Sequence, residues 1–429
     1  MTRHGAATDR TARGVRASWH VLWLAALVST LSIAIAPNAR AASGDLDPSF
    51  GSTGWLELAV YKYPEGTGLA IQDDGKILVS IGSPWSDLFA IARFLPDGTP
   101  DPSFGDHGYV RTDLWQRSSA EDVLLQPDGA IVVAGTSGKR MVVARYLTDG
   151  TLDPSFDGDG KASVLFGDRS SRVADAALSP QGEIVLVGTA QRAWKHSQFA
   201  VARLTTAGAP DASFSGDGKI LVGFGPCRCA EASGVAVASD GRVIAAGWVK
   251  SSSAIAVLDG DGDLDPAFGG DGMVRSTFSS KGGLAEATAV TLTSTGKIVI
   301  GGAVSGAWGP RGRLARLLPN GRLDMTFSGD GVTRFSSAIP EALAVQTDGK
   351  IVVAGAQCCG GGSELFFSLW RFGPNGAHDR SFGSGGVVQG GGYELAFRGW
   401  AAVALQSDGR IVVSGGREFG GLVLARYLA

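Results

Sequence analysis

Short apolar runs separated by tight-turn residues repeat along most of the chain. Near its C-terminal end, residues 403–406 (VALQ) lead through Asp408-Gly409 into residues 411–414 (IVVS). An Asp-Gly pair between two apolar runs predicts a β-hairpin, because it tolerates the positive φ that a tight turn needs. The second run is apolar at consecutive positions, which predicts a strand that is buried on both faces.

Two further motifs predict that each hairpin belongs to a four-stranded unit. A third strand ends in an Ala-Arg-aromatic motif or a variant of it, and a fourth follows an Asp-Pro-Ser-Phe turn, as at residues 108–111 (GYVR). The motif arginines are Arg93, Arg145, Arg203, Arg316, Arg371 and Arg426. One position in the first strand carries mostly small side chains, as expected of a crowded innermost strand: Ala70, Leu124, Ala177, Ala236, Thr291, Ala344 and Ala404.

The Asp-Pro-Ser-Phe motif, with variants, occurs seven times at intervals of 52 to 59 residues. The copies begin at Asp47, Asp101, Asp153, Asp211, Asp265, Asp324 and Asp379. Four strands per unit and seven units predict an all-β fold, a seven-bladed β-propeller of four-stranded antiparallel blades. We place one propeller domain at residues 42–429, with repeats at about 45–100, 101–152, 153–210, 211–264, 265–323, 324–378 and 379–429.

The two ends of this domain complement each other. The N-terminal end begins with a turn and a fourth strand, Trp55 to Tyr61, whereas the last repeat stops after its third strand, at Ala425-Arg426-Tyr427. We therefore expect the N-terminal strand to become the outer strand of the last blade and to close the ring, since an unpaired edge invites aggregation. An open β-solenoid is the alternative, although repeats of about 55 residues are long for one solenoid coil.

The motifs resemble those of the delta-60 repeat family, bacterial β-propeller proteins with Leu-Asp-Pro-Ser-Phe-Gly and Asp-Gly-Lys-Ile-Val-Val-Ala-Gly signatures. The resemblance runs from about Asp45 to the end of the chain. It implies the propeller fold and supplies no catalytic residues. Two repeats depart from the pattern, with Val257 in the arginine position of the fourth and Thr295-Gly296 in place of Asp-Gly in the fifth.

Residues 1–41 have the character of a secretory signal peptide. Four arginines precede an uncharged stretch from Val21 to Ala36, and Ala39-Arg40-Ala41 provides a small-x-small cleavage site. An uncleaved membrane anchor is the alternative, but the apolar run is shorter than the roughly 20 residues that span a bilayer. We expect an extracytoplasmic, monomeric product, secreted, periplasmic or at the cell surface, without stable membrane insertion.

Composition and charge agree with a turn-rich globular protein. The chain of 429 residues has 64 glycines, about twice the usual share of roughly 7%. Its formal net charge is only −3, with 38 Lys and Arg against 41 Asp and Glu. Nucleic acid is therefore not an expected partner, because its binders concentrate positive charge on one face.

Two acidic or basic features have a structural and a functional interpretation. Residues 259–265 (DGDGDLD) resemble a calcium loop with Asp259, Asp261 and Asp265 as candidate ligands. An EF-hand would need Gly at Leu264 and Glu at Gly270, so we favour ordinary turn use of Asp and Gly and expect no cofactor. The repeated arginines would suit an anion site, but their recurrence favours pairing with the Asp of the Asp-Pro-Ser-Phe turn.

Histidine offers little support for catalysis. Two of the five histidines precede residue 41, and His107, His196 and His378 lie in three different repeats. A histidine triad or a multi-histidine metal site is not favoured. A pair of carboxylates acting in glycoside hydrolysis stays open, although no acidic residue stands out from turn and loop usage.

The four cysteines lie in loops that a meander would place on one face of the propeller. In an oxidising compartment disulfides are favoured over metal thiolates. The short spacings predict two local bridges, Cys227 to Cys229 and Cys358 to Cys359.

The face that carries these loops is also the expected binding face. Its loops vary in length and hold several aromatic residues, Trp85, Trp115, Trp194, Trp248, Trp308 and Tyr63. Because binding usually resides in variable loops on a rigid scaffold, and Trp is enriched at binding hot spots, we expect these residues to contact a ligand. Packing of each Trp against its own blade is the alternative.

The leading hypothesis is a non-catalytic binding or scaffold propeller for an extracellular or cell-surface protein or glycan. A carbohydrate-active hydrolase and a structural envelope component are the alternatives.

Overall fold

The predicted seven-bladed fold is confirmed by the computed structural model of the protein. It describes residues 42–51, 53–58, 65–83, 87–193, 196–225, 229–250, 252–276, 285–305, 309–335, 338–358, 365–389, 402–416 and 421–429. These residues form 28 strands in seven four-stranded antiparallel sheets. They contain no helix that would reach across a lipid bilayer. The expected signal peptide, residues 1–41, lies outside the described part of the chain.

The strands of each blade follow one another along the chain, except in the last blade. Blade 1 contains β2 (Glu65–Ile71), β3 (Ile77–Gly82), β4 (Ala90–Phe94) and β5 (Tyr109–Arg111). Blade 2 contains β6 (Ser118–Leu125), β7 (Ile131–Ser137), β8 (Arg140–Tyr146) and β9 (Lys161–Val164). Blade 3 contains β10 (Ser170–Leu178), β11 (Ile184–Ala193), β12 (His196–Leu204) and β13 (Lys219–Val222). Blade 4 contains β14 (Ala230–Val237), β15 (Val243–Val249), β16 (Ser252–Leu258) and β17 (Met273–Ser276).

The remaining three blades complete the ring. Blade 5 contains β18 (Ala285–Leu292), β19 (Ile298–Val304), β20 (Arg311–Leu317) and β21 (Val332–Phe335). Blade 6 contains β22 (Ala338–Val345), β23 (Ile351–Cys358), β24 (Leu365–Phe372) and β25 (Val387–Gln389). Blade 7 contains β26 (Ala402–Leu405), β27 (Ile411–Gly416), β28 (Leu422–Tyr427) and β1 (Trp55–Leu58).

The first strand of every blade lines a central channel. Each first strand contacts the first strands of both neighbouring blades, and the contacts return from β26 to β2. The second strands are buried on both faces, as the consecutive apolar positions predicted, and β3 is buried throughout. Apolar side chains of adjacent blades form the core clusters between them. The ring is therefore held together by a core between each pair of blades.

The connections define two faces of the propeller. The Asp-Gly turns and the Asp-Pro-Ser-Phe turns emerge on one face, which we call the repeat-turn face. The connections from second to third strand and from blade to blade emerge on the other, which we call the variable-loop face. Gly296 of the Thr295-Gly296 departure has φ +73° and donates to the Thr293 carbonyl like its Asp-Gly counterparts, so this turn is no looser than the others.

The N-terminal strand closes the ring, as predicted. β1 pairs antiparallel with β28, with Trp55 opposite Ala425 and Leu58 opposite Leu422. The predicted strand extended to Tyr61, whereas the observed strand ends at Leu58 and residues 59–64 lie outside the described part of the chain. Upstream of β1, the Asp47 N–H donates to the Arg426 carbonyl at 2.9 Å, so the junction continues into the turn.

The repeated arginines pair with the turn aspartates, as their recurrence predicted. In blade 1 Arg93 Nε lies 2.8 Å from Asp101 Oδ2, and both side chains are buried. The guanidinium also lies over the Phe104 ring, 4.4 Å from its centroid. Equivalent pairs with separations of 2.6 to 2.9 Å are Arg145–Asp153, Arg203–Asp211, Arg316–Asp324, Arg371–Asp379 and Arg426–Asp47.

Five of the six arginines also donate to a backbone carbonyl of the following blade. Arg203 Nη1 donates to the Gly260 carbonyl of blade 4 at 2.7 Å. The other acceptors in a following blade are the carbonyls of Thr148, Thr206, Pro374 and Pro96, bound by Arg93, Arg145, Arg316 and Arg426. Val257 interrupts this series at blade 4, where Arg242 from the preceding turn lies 3.5 Å from Asp265 instead.

Candidate functional site

A shared irregularity shapes the mouth of the channel on the variable-loop face. Six of the first strands contain a β-bulge at the same position, which leaves one residue of each strand out of register with its neighbour strand. The out-of-register residues are Thr67, Glu121, Ala174, Ser233, Thr288 and Glu341. Bulges redirect side chains and are common beside functional sites.

A cavity of about 540 Å³ occupies this mouth. Its wall comes from the beginnings of β6, β10, β14 and β18 and from the ends of β7, β11 and β15. Trp248, near the end of β15, provides the large apolar surface, and Ser119, Thr136 and Thr189 provide hydroxyl groups. The site therefore combines one aromatic ring with several hydrogen-bonding groups, which is typical of small-ligand pockets.

Charged groups of both signs line the cavity. Arg117 and Arg172 come from blades 2 and 3, and Glu231 and Glu286 come from blades 4 and 5. Arg172 Nη2 lies 4.0 Å from Glu231 Oε2 across the boundary between blades 3 and 4, where Arg172 is exposed and Glu231 is partly buried. A solvent-accessible pair at this distance adds little stability. Both groups are thus available to exchange this contact for one with a polar ligand.

Two aspartates face each other one residue deeper in the channel. Asp122 follows the bulge of β6, Asp175 follows the bulge of β10, and their carboxyl groups are hydrogen-bonded. Asp175 also accepts the backbone N–H groups of Ala176 at 2.9 Å and Val235 at 2.8 Å. Gly68 makes room for Asp122, because a Cβ on Gly68 would lie 2.3 Å from its carboxylate. The aspartates touch the channel but are enclosed by blades 1 to 4.

Burial of the two aspartates favours their protonated forms. Burial, and then the charge of Asp175, raises the pKa of Asp122 well above its usual value. Burial also raises the pKa of Asp175 to about 6, although the bonds from Val235 and Ala176 favour its charged form. Two carboxyl groups in contact cannot both ionise without strong repulsion. The pair therefore holds a shared proton, with Asp122 as the donor and Asp175 as the acceptor.

Sequence reasoning did not single out this pair, although a weak pattern pointed to it. Asp122 and Asp175 each lie seven residues before the glycine of the following hairpin turn. The corresponding residues of the other blades are Gly68, Gly234, Ala289, Ala342 and Ala402. An alignment of the repeats on their turns would have shown Asp at a position that is otherwise Gly or Ala.

The structure places one of the six predicted aromatic residues at the cavity. Trp248 lines it, whereas Trp115 lies on the same face with 53% of its surface exposed and does not contribute to the wall. The other four, Trp85, Trp194, Trp308 and Tyr63, lie outside the described residues. Packing as the alternative role of Trp115 does not fit its exposure.

The predicted disulfides remain predictions. The backbones of Cys229 and Ser197 form an isolated parallel β-bridge. The expected disulfide partner of Cys229, Cys227, lies outside the described residues. Cys358 ends β23, and Cys359 also lies outside them.

The acidic run at 259–265 makes turn contacts. Asp259 Oδ1 accepts the backbone N–H groups of Asp261 and Asp263, each at 3.0 Å. Asp265 Oδ1 accepts the N–H of Ala267 at 2.9 Å. In the described ranges no three His, Cys, Asp or Glu side chains are grouped so that they could hold a metal ion.

Comparison with solved structures returns other propellers at low identity. Virginiamycin B lyase of Staphylococcus aureus has a TM-score of 0.53 and 11% identity, over 87% of this chain and 99% of that one. Drosophila Plexin A, in complex with Semaphorin 1b, gives 0.47 and 10%, over 86% of each chain. The α-L-arabinanase of Penicillium chrysogenum gives 0.41 and 12%, over 90% and 96%. The likeness to the lyase shows the fold alone, and the two lower scores carry no further argument.

Sequence comparison supports the repeat assignment. No curated protein matches the chain significantly. A family model described as a domain of unknown function (DUF5122) beta-propeller matches six segments, residues 72–104, 126–156, 180–214, 238–268, 293–327 and 346–382. Each segment runs from a hairpin turn to the Phe of the following Asp-Pro-Ser-Phe turn or its variant. The chain is therefore a β-propeller repeat protein whose repeats are similar to the DUF5122 beta-propeller domain.

Proposed function

We propose that the protein is an exported, non-catalytic binding propeller that holds a glycan in the cavity at the channel mouth. The observation that carries this proposal is the cavity itself, because it joins Trp248 to paired charged groups and hydroxyls on the variable-loop face. The motif pattern further supports assignment of the repeats to the delta-60 type. The basic and apolar character of residues 1–41 supports export by a signal peptide.

The chemistry of the cavity suits a sugar. The C–H face of a pyranose ring packs on an aromatic ring such as Trp248, while its hydroxyl groups need donors and acceptors. Arg172 and Arg117 donate, Glu231 and Glu286 accept, and the serine and threonine hydroxyls do both. A volume of about 540 Å³ falls within the range of roughly 300 to 1,000 Å³ common for ligand pockets. The cavity thus has room for a short oligosaccharide.

A paired substitution tests the assignment to this cavity. The mature protein and its Trp248→Ala and Trp115→Ala variants are screened on a glycan array, and hits are measured by titration calorimetry. We expect Trp248→Ala to weaken binding by about tenfold or more, the cost of losing one aromatic anchor. Trp115→Ala is the matched control, since Trp115 is exposed on the same face but lies outside the cavity wall, and it should bind as the wild type does.

The outcomes separate this proposal from its rivals. Equal losses in both variants, or none in either with the fold intact, would remove the cavity as the binding site. No glycan hit together with capture of an envelope protein would favour a protein ligand. The absence of any ligand would favour a structural envelope component.

A hydrolase is the second candidate function, because Glu121, Glu231 and Glu286 line the same cavity. Two carboxyl groups at a suitable separation are sufficient for glycoside hydrolysis. Release of reducing ends from a bound polysaccharide, abolished by Glu231→Gln or Glu286→Gln, would support the enzyme and contradict the non-catalytic proposal.

A further inference from the structure

Three arginines share one face of the outer strands of blade 5. Arg313 of β20 lies directly opposite Arg334 of β21 in the strand register. Arg311 precedes Arg313 by two residues on β20 and therefore points to the same side. Like charges placed directly opposite each other on neighbouring strands are destabilising. Nearby carboxylates or an external anion would relieve this repulsion.

The described surroundings provide one carboxylate for the three guanidinium groups. Arg334 Nη2 pairs with Asp330 Oδ2 at 2.7 Å. Arg313 donates to the Gly312 carbonyl at 2.8 Å, and its Nε is buried without a partner among the described residues. Burial lowers the pKa of Arg313, and the charges of Arg334 and Arg311 add to this effect. The adjoining connections, residues 305–310 and 336–337, contain no Asp or Glu in their sequence.

The fold itself does not call for these arginines. The positions that correspond to Arg313 and Arg334 in the other blades are Ala90–Arg111, Val142–Ser163, Ala200–Leu221, Ala254–Arg275, Ser368–Gln389 and Val423–Glu57. The third-strand position is thus Ala, Val or Ser in six blades and Arg in blade 5 alone. A small side chain satisfies the packing at this position, so the arginine of blade 5 must be explained in another way.

We propose that Arg311, Arg313 and Arg334 form a binding site for an oxyanion, such as a sulfate ester or a carboxylate on an acidic polysaccharide. Guanidinium groups bind planar or tetrahedral oxyanions through paired hydrogen bonds, and a bound anion relieves the repulsion among the three charges. The site lies where β20 leaves the variable-loop face, on the outer strands and not on the first strands that form the channel. It is therefore independent of the glycan proposed for the cavity.

Thermal unfolding in matched salts provides the first test. We expect sodium sulfate to raise the Tm of the full mature protein above its value in sodium chloride of equal ionic strength. Arg313→Ala, which installs the residue of blades 1, 3 and 4, should reduce this difference to the general stabilisation that sulfate gives by exclusion from protein surfaces. Its Tm in chloride should equal or exceed that of the wild type, because a repulsive charge has been removed. This result also shows that the variant is folded.

Polymer binding identifies the source of the anionic group. We expect dextran sulfate to bind the wild type, neutral dextran not to bind, and Arg313→Ala to weaken the dextran sulfate affinity on the order of tenfold. Arg140→Ser is the matched control, since Arg140 begins β8 as Arg311 begins β20 but faces no arginine pair. Stabilisation by sulfate that is lost in Arg313→Ala, without polymer binding, would identify a small free anion. The same Arg313-dependent stabilisation together with tight polymer binding would identify an acidic polysaccharide.

Two results would show that the arginines do not form an anion site. The same rise in Tm from chloride to sulfate in wild type and Arg313→Ala, with the same dextran sulfate affinity for both, would show that the three arginines hold no anion. Arg313→Lys keeps the charge but loses the planar fork. Full dextran sulfate affinity in this variant would reduce the site to general charge attraction and would likewise overturn it. None of these variants touches the cavity wall, so the outcome does not depend on Trp248.

Discussion

At the scale of single residues, the Asp122–Asp175 pair makes stability depend on pH. In the unfolded chain both carboxyls would titrate near 4. In the folded protein burial raises both pKa values, that of Asp175 to about 6 and that of Asp122 well above its usual value. Groups with raised pKa values stabilise the fold fully below the unfolded pKa. Their contribution is lost as the pH rises from about 4 through about 6 and beyond, since the folded state must then release protons that it binds tightly.

The variant Asp122→Asn should remove this dependence. An amide N–H can replace the carboxyl O–H that Asp122 donates to Asp175, and it does not ionise. We expect the free energy of unfolding of the variant to exceed that of the wild type at pH 8 by about 1–2 kcal/mol and to match it near pH 4. Denaturant unfolding at pH 4, 6 and 8 measures the difference.

Asp175→Asn serves as the control for this change. Asp175 uses one carboxylate oxygen for Ala176 and the other for Val235, and an amide leaves one of these backbone N–H groups unpaired. It should therefore destabilise the protein most above about pH 6, where the wild-type Asp175 is ionised, and less near pH 4, where Asp175 is itself protonated. Parallel pH profiles for the wild type and Asp122→Asn would contradict the shared proton.

At the scale of elements, the turn after each third strand is the unit that sets the blades in place. In blade 1 Asp101 accepts hydrogen bonds from the N–H and hydroxyl of Ser103 and pairs with Arg93. Burial alone would raise the pKa of Asp101, but the bonds from Ser103 and the charge of Arg93 outweigh it and lower the pKa. The unit therefore joins a local turn to the buried arginine that reaches the next blade.

Comparison of Asp101→Ala with Asp265→Ala tests the joint contribution of the arginine pair and the Ser103 hydroxyl bond. Both substitutions remove the acceptor of the turn N–H, but only Asp101 leaves a buried blade arginine unpaired, because blade 4 has Val257 in that position. We expect a loss of about 3–5 kcal/mol for Asp101→Ala, as for a broken buried ion pair. Asp265→Ala should cost about 1 kcal/mol. Chemical denaturation measures both, and equal losses would show that the pair adds nothing beyond the turn.

The elements that sequence predicted and those that it missed differ in their physical origin. Strands, turns, the Arg–Asp pairs and ring closure depend on local patterns that recur in nearly every repeat, so each copy supports the others. The cavity depends on Trp248, Arg172 and Glu286, which come from three blades and share no spacing. The arginine pair of blade 5 depends on strand register. The two proposed sites thus lie at departures from the repeat, and the cavity residues become neighbours only when the ring forms.

At the scale of the whole molecule, stability depends on a junction between the two ends of the propeller. Four residues of β1 pair with β28, and Asp47 lies between Arg426 at 2.9 Å and Arg410 at 3.0 Å. Arg426 also donates to the Pro96 carbonyl of blade 1. The junction therefore fills the outer edge of blade 7 and ties that blade to the first.

Deletion of residues 42–62 from the chain that spans residues 42–429 tests the importance of this junction. We expect aggregation or a large fall in Tm, because β28 becomes an exposed edge and the buried Arg426 loses its carboxylate. Light scattering and thermal unfolding measure these effects. A peptide with the sequence of residues 42–62, added in trans, should restore the Tm, and a scrambled peptide should not. A soluble monomer with an unchanged Tm would show that the segment is dispensable.

The position of β1 also imposes an order on folding during synthesis. Trp55 and Ala425, which face each other in blade 7, are 370 positions apart in the chain, and contacts between such distant residues form late. During synthesis β1 emerges before any blade is complete and must wait for the last strand to be made. Until then β1 presents an open edge of the kind that proteases and chaperones engage. Only a chain that has been synthesised through β28 can therefore pair β1, and a chain that lacks β28 leaves the edge of β1 exposed.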